Sequence, residues 1–156
     1  MSAATLQSGV YFVQNAGTGT VIDLSSNVDG TKVQGYAKRE LNDSWVSAQL
    51  WIISQVGNDA VYTIQSAGSR TFLDLDKGLT ANGTSIIGFQ ETGNPNQRWI
   101  ITRNTINTAY VIVNQAAGTA VDLSDGNPAN GATIQGWTAE GPGTSNLHQL
   151  WHIVRA

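Results

Sequence analysis

Two short motifs are each written three times in this 156-residue chain at nearly constant spacing. The first, Val21-Ile22-Asp23-Leu24, returns as Phe72-Leu73-Asp74-Leu75 and Ala120-Val121-Asp122-Leu123, so its aspartates lie 51 and then 48 residues apart. The second, Gln49-Leu50-Trp51-Ile52, returns as Gln97-Arg98-Trp99-Ile100 and Gln149-Leu150-Trp151-His152, with tryptophans 48 and 52 residues apart. A period of this length marks one supersecondary unit repeated, and it decides the architecture before local propensity is consulted. Units at 9–56, 60–104 and 108–156 are each too small to bury a core alone. Residues 1–156 are therefore expected to form a single domain in which three units pack together.

Each unit offers four short extended runs. They fall at 10–15, 20–24, 32–36 and 50–53, then 61–65, 71–75, 85–89 and 98–101, then 110–114, 120–123, 133–137 and 150–154. Between the second and third run of every unit stands Asp29-Gly30, Asn82-Gly83 or Asn130-Gly131, pairs suited to a type I′ hairpin turn with positive φ at both central positions. Four strands per unit would also suit a propeller blade, but propellers close with about four to eight blades. Twelve strands with pseudo-threefold symmetry leave an all-β fold, a barrel capped by three hairpins, the β-trefoil.

Strand alternation assigns the faces. The aliphatic neighbours of Asp23, Asp74 and Asp122 share one face, which directs the three carboxylates to the other, expected to be exposed. Trp51, Trp99 and Trp151 face with Ile53, Ile101 and Ile153 and belong in the core, together with Tyr11, Tyr62 and Tyr110. If Val33, Ile86 and Ile134 point inward, Tyr36, Phe89 and Trp137 point out. Gln49, Gln97 and Gln149 are expected to bond buried backbone at a strand start rather than a ligand, because buried polar groups need partners.

Charge and composition narrow the function classes. Charged residues make up 12% of the chain, the net charge is −3, and no basic cluster exceeds the pair Lys38-Arg39, so a nucleic-acid partner is unsupported. Cysteine is absent, which removes disulfides and thiolate chemistry. Residues 1–5 lack the pattern of a secretory leader and no apolar run is long enough to span a bilayer, so a cytoplasmic location without membrane insertion is expected.

An outward carboxylate beside an outward ring is chemistry suited to a sugar. The ring packs on the apolar C–H face of a pyranose, and the carboxylate accepts vicinal hydroxyls in charge-assisted bonds of about 1.5–3 kcal/mol each before desolvation.

The ordered set of Asp-Leu, Gly-aromatic and Gln-x-Trp, three times over residues 9–155, resembles the ricin B-type β-trefoil lectins, in particular the cysteine-free single-domain kind from fungi. The resemblance implies sugar sites made from the strand aspartate, the aromatic platform and a polar residue just before the glutamine. In the second unit these are Asp74, Phe89 and Asn96. In the third they are Asp122, Gln135, Trp137 and His148, where His148 replaces the usual asparagine and Asn146 is near enough to substitute. In the first they are Asp23, Gln34 and Tyr36, with Ala48 before the glutamine and Asn42 of the longer loop supplying the amide. The resemblance further implies a non-catalytic agglutinin of the fungal defence type. Its ligands would be galactose, N-acetylgalactosamine or lactose-type glycans, terminal or subterminal on glycoproteins or glycolipids. Neither cofactor nor metal is implied, and homodimerisation is left open.

Other readings compete with this one. A glycosidase would pair Glu40, Glu91 or Glu140 with its unit's aspartate, but hydrolysis needs a carboxyl whose pKa is raised by burial, and all six are expected in exposed positions. His148 and His152, four residues apart along a strand, are too distant to share a metal. A β-trefoil protease inhibitor acting through loop 38–47 or 140–146 is the main alternative, yet inhibition gives no reason to repeat an outward aspartate and ring three times.

Overall fold

The computed structural model describes residues 6–156; the leader reading of residues 1–5 lies outside the described residues. Thirteen strands form one sheet system. The first unit contributes β1 (Gly9–Asn15), β2 (Val21–Asp23), β3 (Thr31–Lys32), β4 (Gln34–Tyr36) and β5 (Trp51–Gln55). The second contributes β6 (Val61–Ser66), β7 (Phe72–Leu75), β8 (Thr84–Phe89) and β9 (Trp99–Arg103). The third contributes β10 (Tyr110–Asn114), β11 (Thr119–Leu123), β12 (Ala132–Thr138) and β13 (Trp151–Arg155).

The outer strands of each unit close a ring, β1 to β5, β6, β9, β10, β13 and back to β1, every pair antiparallel. Closure leaves this barrel without a free edge. Over one end sit the hairpins β2/β4, β7/β8 and β11/β12, joined to each other through β3 with β8, β8 with β12 and β12 with β4. This is the β-trefoil. The thirteenth strand is a correction to the twelve expected: the first unit's third run breaks at Val33, whose amide bonds the Ile86 carbonyl, so β3 pairs with the second hairpin and β4 with its own.

The core is threefold as well. Trp51, Trp99 and Trp151 are fully enclosed, and each indole Nε1 donates to the carbonyl just before the motif aspartate, of Ile22, Leu73 and Val121, at 2.9–3.0 Å. Tyr11 and Tyr62 are buried with them, while Tyr110 packs half-buried against the cluster. Val33, Ile86 and Ile134 point inward as alternation requires.

Two motif elements lock neighbouring units together. A Cβ added to Gly88 would meet Leu24 Cδ2 at 2.6 Å, one on Gly136 would meet Leu75 Cδ1 at 2.8 Å, and one on Gly35 would meet Leu123 Cδ1 at 3.3 Å. The leucine of each Asp-Leu pair thus occupies the space left by the glycine of the next unit's Gly-aromatic pair, and the relation closes cyclically. The hairpin turns do the same. Gly30, Gly83 and Gly131 have φ of +91, +92 and +89°, but Asp29, Asn82 and Asn130 do not adopt positive φ, so the turns are not type I′. Their side chains instead cross the cap: Asp29 accepts from the Gln90 amide, Asn82 from Thr138 and Asn130 from Ala37, at 2.8–2.9 Å. The Asx-Gly pairs are selected by contacts between units as much as by the turn.

Candidate functional site

Each motif aspartate stands on the first strand of its hairpin, and the register places an aromatic of the second strand beside it. Asp23 pairs with Gln34 and Val21 with Tyr36; Asp74 pairs with Ile87 and Phe72 with Phe89; Asp122 pairs with Gln135 and Ala120 with Trp137. Cross-strand partners share a sheet face, so carboxylate, partner and ring line one surface in every unit. Trp137 is 40% exposed, whereas Tyr36 and Phe89 are half-buried.

The carboxylates are not exposed as alternation suggested. Asp23, Asp74 and Asp122 retain only 3–4% of their accessible surface. They face away from the barrel core yet are walled in by the hairpin and by the short 3-10 turns Val46–Gln49, Pro95–Gln97 and Leu147–Gln149. Strand periodicity reports which face a side chain takes, not what later segments fold over it.

The motif glutamines supply much of that wall. Gln49 Nε2 donates to Asp23 Oδ2 (3.1 Å), Gln97 Nε2 to Asp74 Oδ2 (2.9 Å) and Gln149 Nε2 to Asp122 Oδ2 (3.2 Å). The same nitrogens donate to the carbonyls of Ala37, Gln90 and Thr138, and the amide oxygens accept from the backbone of Arg39, Thr92 and Glu140. The expected backbone bonding is present, but these residues also aim the carboxylates, a role the sequence reading missed. The signal was available: motif aspartate and glutamine recur together in all three units.

The other carboxylate oxygen distinguishes the units. Asp23 Oδ1 accepts from Gln34 (3.1 Å) and Asp122 Oδ1 from Gln135 (3.3 Å). In the second unit Ile87 replaces that glutamine, and Asn96 donates to Asp74 Oδ1 (3.1 Å) and to the Leu75 carbonyl (3.2 Å). Burial pushes the Asp74 carboxyl above its ordinary 3.8; Gln97 opposes the shift and the charge of Asp76 adds to it. Burial likewise raises Asp122, opposed by Gln149, Gln135 and the nearby His148.

The third unit gathers its predicted residues into a single open cleft of about 400 Å³, lined by Asp122, Gln135, Trp137, Asn146 and His148. Ser124 and Asp125 also line it and were not predicted. They belong to a turn that follows the aspartate, Ser124–Gly126, matched by Asp76–Gly78 in the second unit; Asp125 and Lys77 both adopt φ of +57° there. The shared offset of Gly78 and Gly126 from the aspartates was the readable sign. Gly126 lets His148 approach, since a Cβ would lie 2.8 Å from His148 Nε2. Asn146 does not reach Asp122 in a direct hydrogen bond: its Nδ2 donates to Glu140 Oε2 (2.7 Å) and its Oδ1 caps the His148 amide (3.0 Å). Glu140 also accepts from Thr144 Oγ1 (3.1 Å) and so organises the loop.

The first unit departs from this plan. Asn42 is exposed in its loop, and Gln34 and Gln49, rather than Asn42, hold Asp23. The Arg39 guanidinium stacks on the Tyr36 ring at 5.0 Å while pairing with Asp43 at 3.4 Å, so one face of that platform is already covered.

Comparison with known proteins agrees with this fold. The model of the ricin-type beta-trefoil lectin domain-like family matches residues 3–89 and 47–137. The lectin of Polyporus squamosus, solved with the epitope Neu5Acα2-6Galβ1-4GlcNAc, is 30% identical over 96% of this chain with a TM-score of 0.77; the chain spans half of that protein's length. The Macrolepiota procera ricin B-like lectin, solved with lactose, is 28% identical over 99% of this chain and 100% of its own, with a TM-score of 0.77. The designed threefold symmetric protein ThreeFoil shares the fold, with 23% identity, coverage of 95% and 99% and a TM-score of 0.83. No curated protein sequence matches the chain significantly.

Proposed function

Since the chain belongs to the ricin-type β-trefoil lectin domain-like family, a family of carbohydrate-binding domains, we propose that it binds galactose, N-acetylgalactosamine or lactose-type glycans and carries out no catalysis. One observation carries the proposal: Asp122, Gln135, Trp137 and His148 converge on one open cleft. An ionised Asp122, with each oxygen already holding one amide donor, keeps lone pairs free for two sugar hydroxyls, and the indole offers the apolar face. Preformed donors around the carboxylate mean that little is reorganised when the ligand arrives. The second unit supports the same use of Asp74, Phe89 and Asn96, with a smaller ring and an asparagine in place of the glutamine. The lactose bound by the Macrolepiota lectin fits a galactose-type ligand.

Glu140, the third unit's partner carboxylate in the glycosidase reading, is taken up by Asn146 and Thr144, which favours loop structure over proton transfer. Shallow sites hold a single sugar weakly; two or more on one molecule raise avidity for a multivalent surface by about 10²- to 10⁴-fold where the spacing fits, which is the basis for agglutination of glycoprotein- or glycolipid-bearing surfaces. Amide NMR with added lactose tests the reading. Shifts should concentrate around Asp122, Gln135, Trp137 and His148 and around Asp74, Phe89 and Asn96; a spectrum that does not move at saturating lactose would reject it.

A further inference from the structure

The first unit has Ala48 where the other two place a polar residue before the glutamine, and a separate cleft of about 400 Å³ opens beside it, lined by Ser25, Ser26, Trp45, Ser47, Gly68 and Ser69. We propose that this cleft is a glycan subsite of different chemistry from the aspartate sites, one that takes a neutral pyranose on the Trp45 indole and the surrounding serines. The proposal rests on the lectin reading above and adds a site to it.

Comparison of the three units shows why the space exists. In the third unit the same position is filled from inside: Leu147 reaches Gly17, where a Cβ would sit 3.1 Å from its own, and His148 packs on Gly126. What remains is a cleft of about 230 Å³. In the second, Asn96 fills it, 3.5 Å from the place of a Gly78 Cβ. In the first, Ser47 and Ala48 stand where Leu147 and His148 do, and both are too short to close the gap. The tie across the junction differs as well. Asn15 donates to the Leu147 carbonyl and Asn114 to the Asn96 carbonyl, at 3.0 Å each, whereas the equivalent Ser66 accepts from the Ser69 amide (3.2 Å).

The open space is built on fixed walls. Trp45 is held by its backbone, its amide donating to Asp43 Oδ1 (2.7 Å) and its carbonyl accepting from Ala48 (3.1 Å). Gly68 lies so close to Ser47 that a Cβ would be 3.0 Å from its Oγ and 3.1 Å from its carbonyl oxygen. The indole itself is 68% exposed, the most of any large apolar side chain among the described residues. No charged side chain lines the cleft, so an anion, a metal ion or a charged peptide finds no counter-charge there. Ser26 Oγ already accepts from the Val28 amide (3.1 Å) and Ser69 Oγ is paired with Thr71 Oγ1 (2.6 Å), so Ser25 and Ser47 carry most of the offer. Hydroxyls that both donate and accept, set beside one flat ring, match a ligand with hydroxyls around an apolar face, which is a neutral sugar.

The test uses a variant with two of the three predicted aspartate sites silenced, Asp74→Asn with Asp122→Asn, probed by lactose calorimetry and by a printed panel of neutral glycans. A weaker saturable response should persist in this double variant, disappear when Trp45→Ala is added, and return in part with Trp45→Phe. Trp45→Ala alone should leave the stronger lactose response and the melting temperature in place, because the ring is exposed. A silent double variant, or a residual response that survives Trp45→Ala and is lost with Asp23→Asn, would overturn the proposal while leaving the lectin reading standing. Silence of the unmodified protein on both probes would overturn the two together.

Discussion

The amide of Gln149 lies 3.2 Å from Asp122 Oδ2 and 2.9 Å from the Thr138 carbonyl, so one side chain ties the start of β13 to the carboxylate of the third site. On the proposed function, structure and recognition share this residue. Gln149→Leu should weaken lactose binding at the third unit at least tenfold and lower stability by about 1–3 kcal/mol, because it leaves a buried acceptor unpaired. Calorimetric titration and thermal unfolding of the same variant read the two effects separately.

Asp122→Asn should remove third-site binding and cost less than about 1 kcal/mol, because the amide keeps the volume, removes the buried charge and can be met by a flip of Gln135. Asp122→Ala should be worse for the fold, since it strands the Gln149 donor. This reverses what an outward, exposed aspartate would predict. Comparison of the two melting temperatures decides the point.

Acid should abolish binding before it unfolds the protein. Asp74 and Asp122 are raised above the ordinary 3.8 by burial, so their protonated forms accumulate at higher pH than those of free carboxylates. Between the unfolded and folded pKa the native state binds more protons, so these two groups add stability as pH falls and lose it as pH rises. Lactose affinity followed downward from neutral pH should therefore decline while the melting temperature contribution of these groups improves; coincident loss of both would contradict this assignment.

Trp137→Ala should reduce lactose affinity at the third site about tenfold, as loss of a stacking face implies, and leave the fold within about 0.5 kcal/mol, as expected for an exposed side chain. Retained affinity would place the sugar away from the ring.

Gly88→Ala tests the cyclic packing of leucine on glycine. The added methyl would meet Leu24 at 2.6 Å, and overpacking of this kind costs about 1–3 kcal/mol. Denaturant unfolding should show the loss, with Gly35→Ala milder because its nearest contact is 3.3 Å.

Most of the architecture was legible because it is periodic: repeats set the number of units, and alternation identified Trp51, Trp99, Trp151, Val33, Ile86 and Ile134 as interior. What failed depended on contacts between segments distant in sequence, within a unit or between units, which periodicity does not encode. Asp29, Asn82 and Asn130 looked like hairpin residues and serve as bonds across the cap. Asp23, Asp74 and Asp122 were assigned to the correct face, but the turns that bury them come from 21 to 27 residues further on. The lining of the third cleft was legible residue by residue save Ser124 and Asp125, whereas Asn42 was chosen only because Ala48 holds the position before the glutamine, and the sequence does not report where the longer loop carries its amide.

The central claim is that a folded copy of this chain recognises galactose-type glycans, and a glycan array of the labelled protein, with and without free lactose, tests it most directly. The account predicts selective signal on glycans ending in galactose or N-acetylgalactosamine, displaced by lactose. A blank array from protein with a cooperative thermal transition, or signal indifferent to lactose, would contradict it.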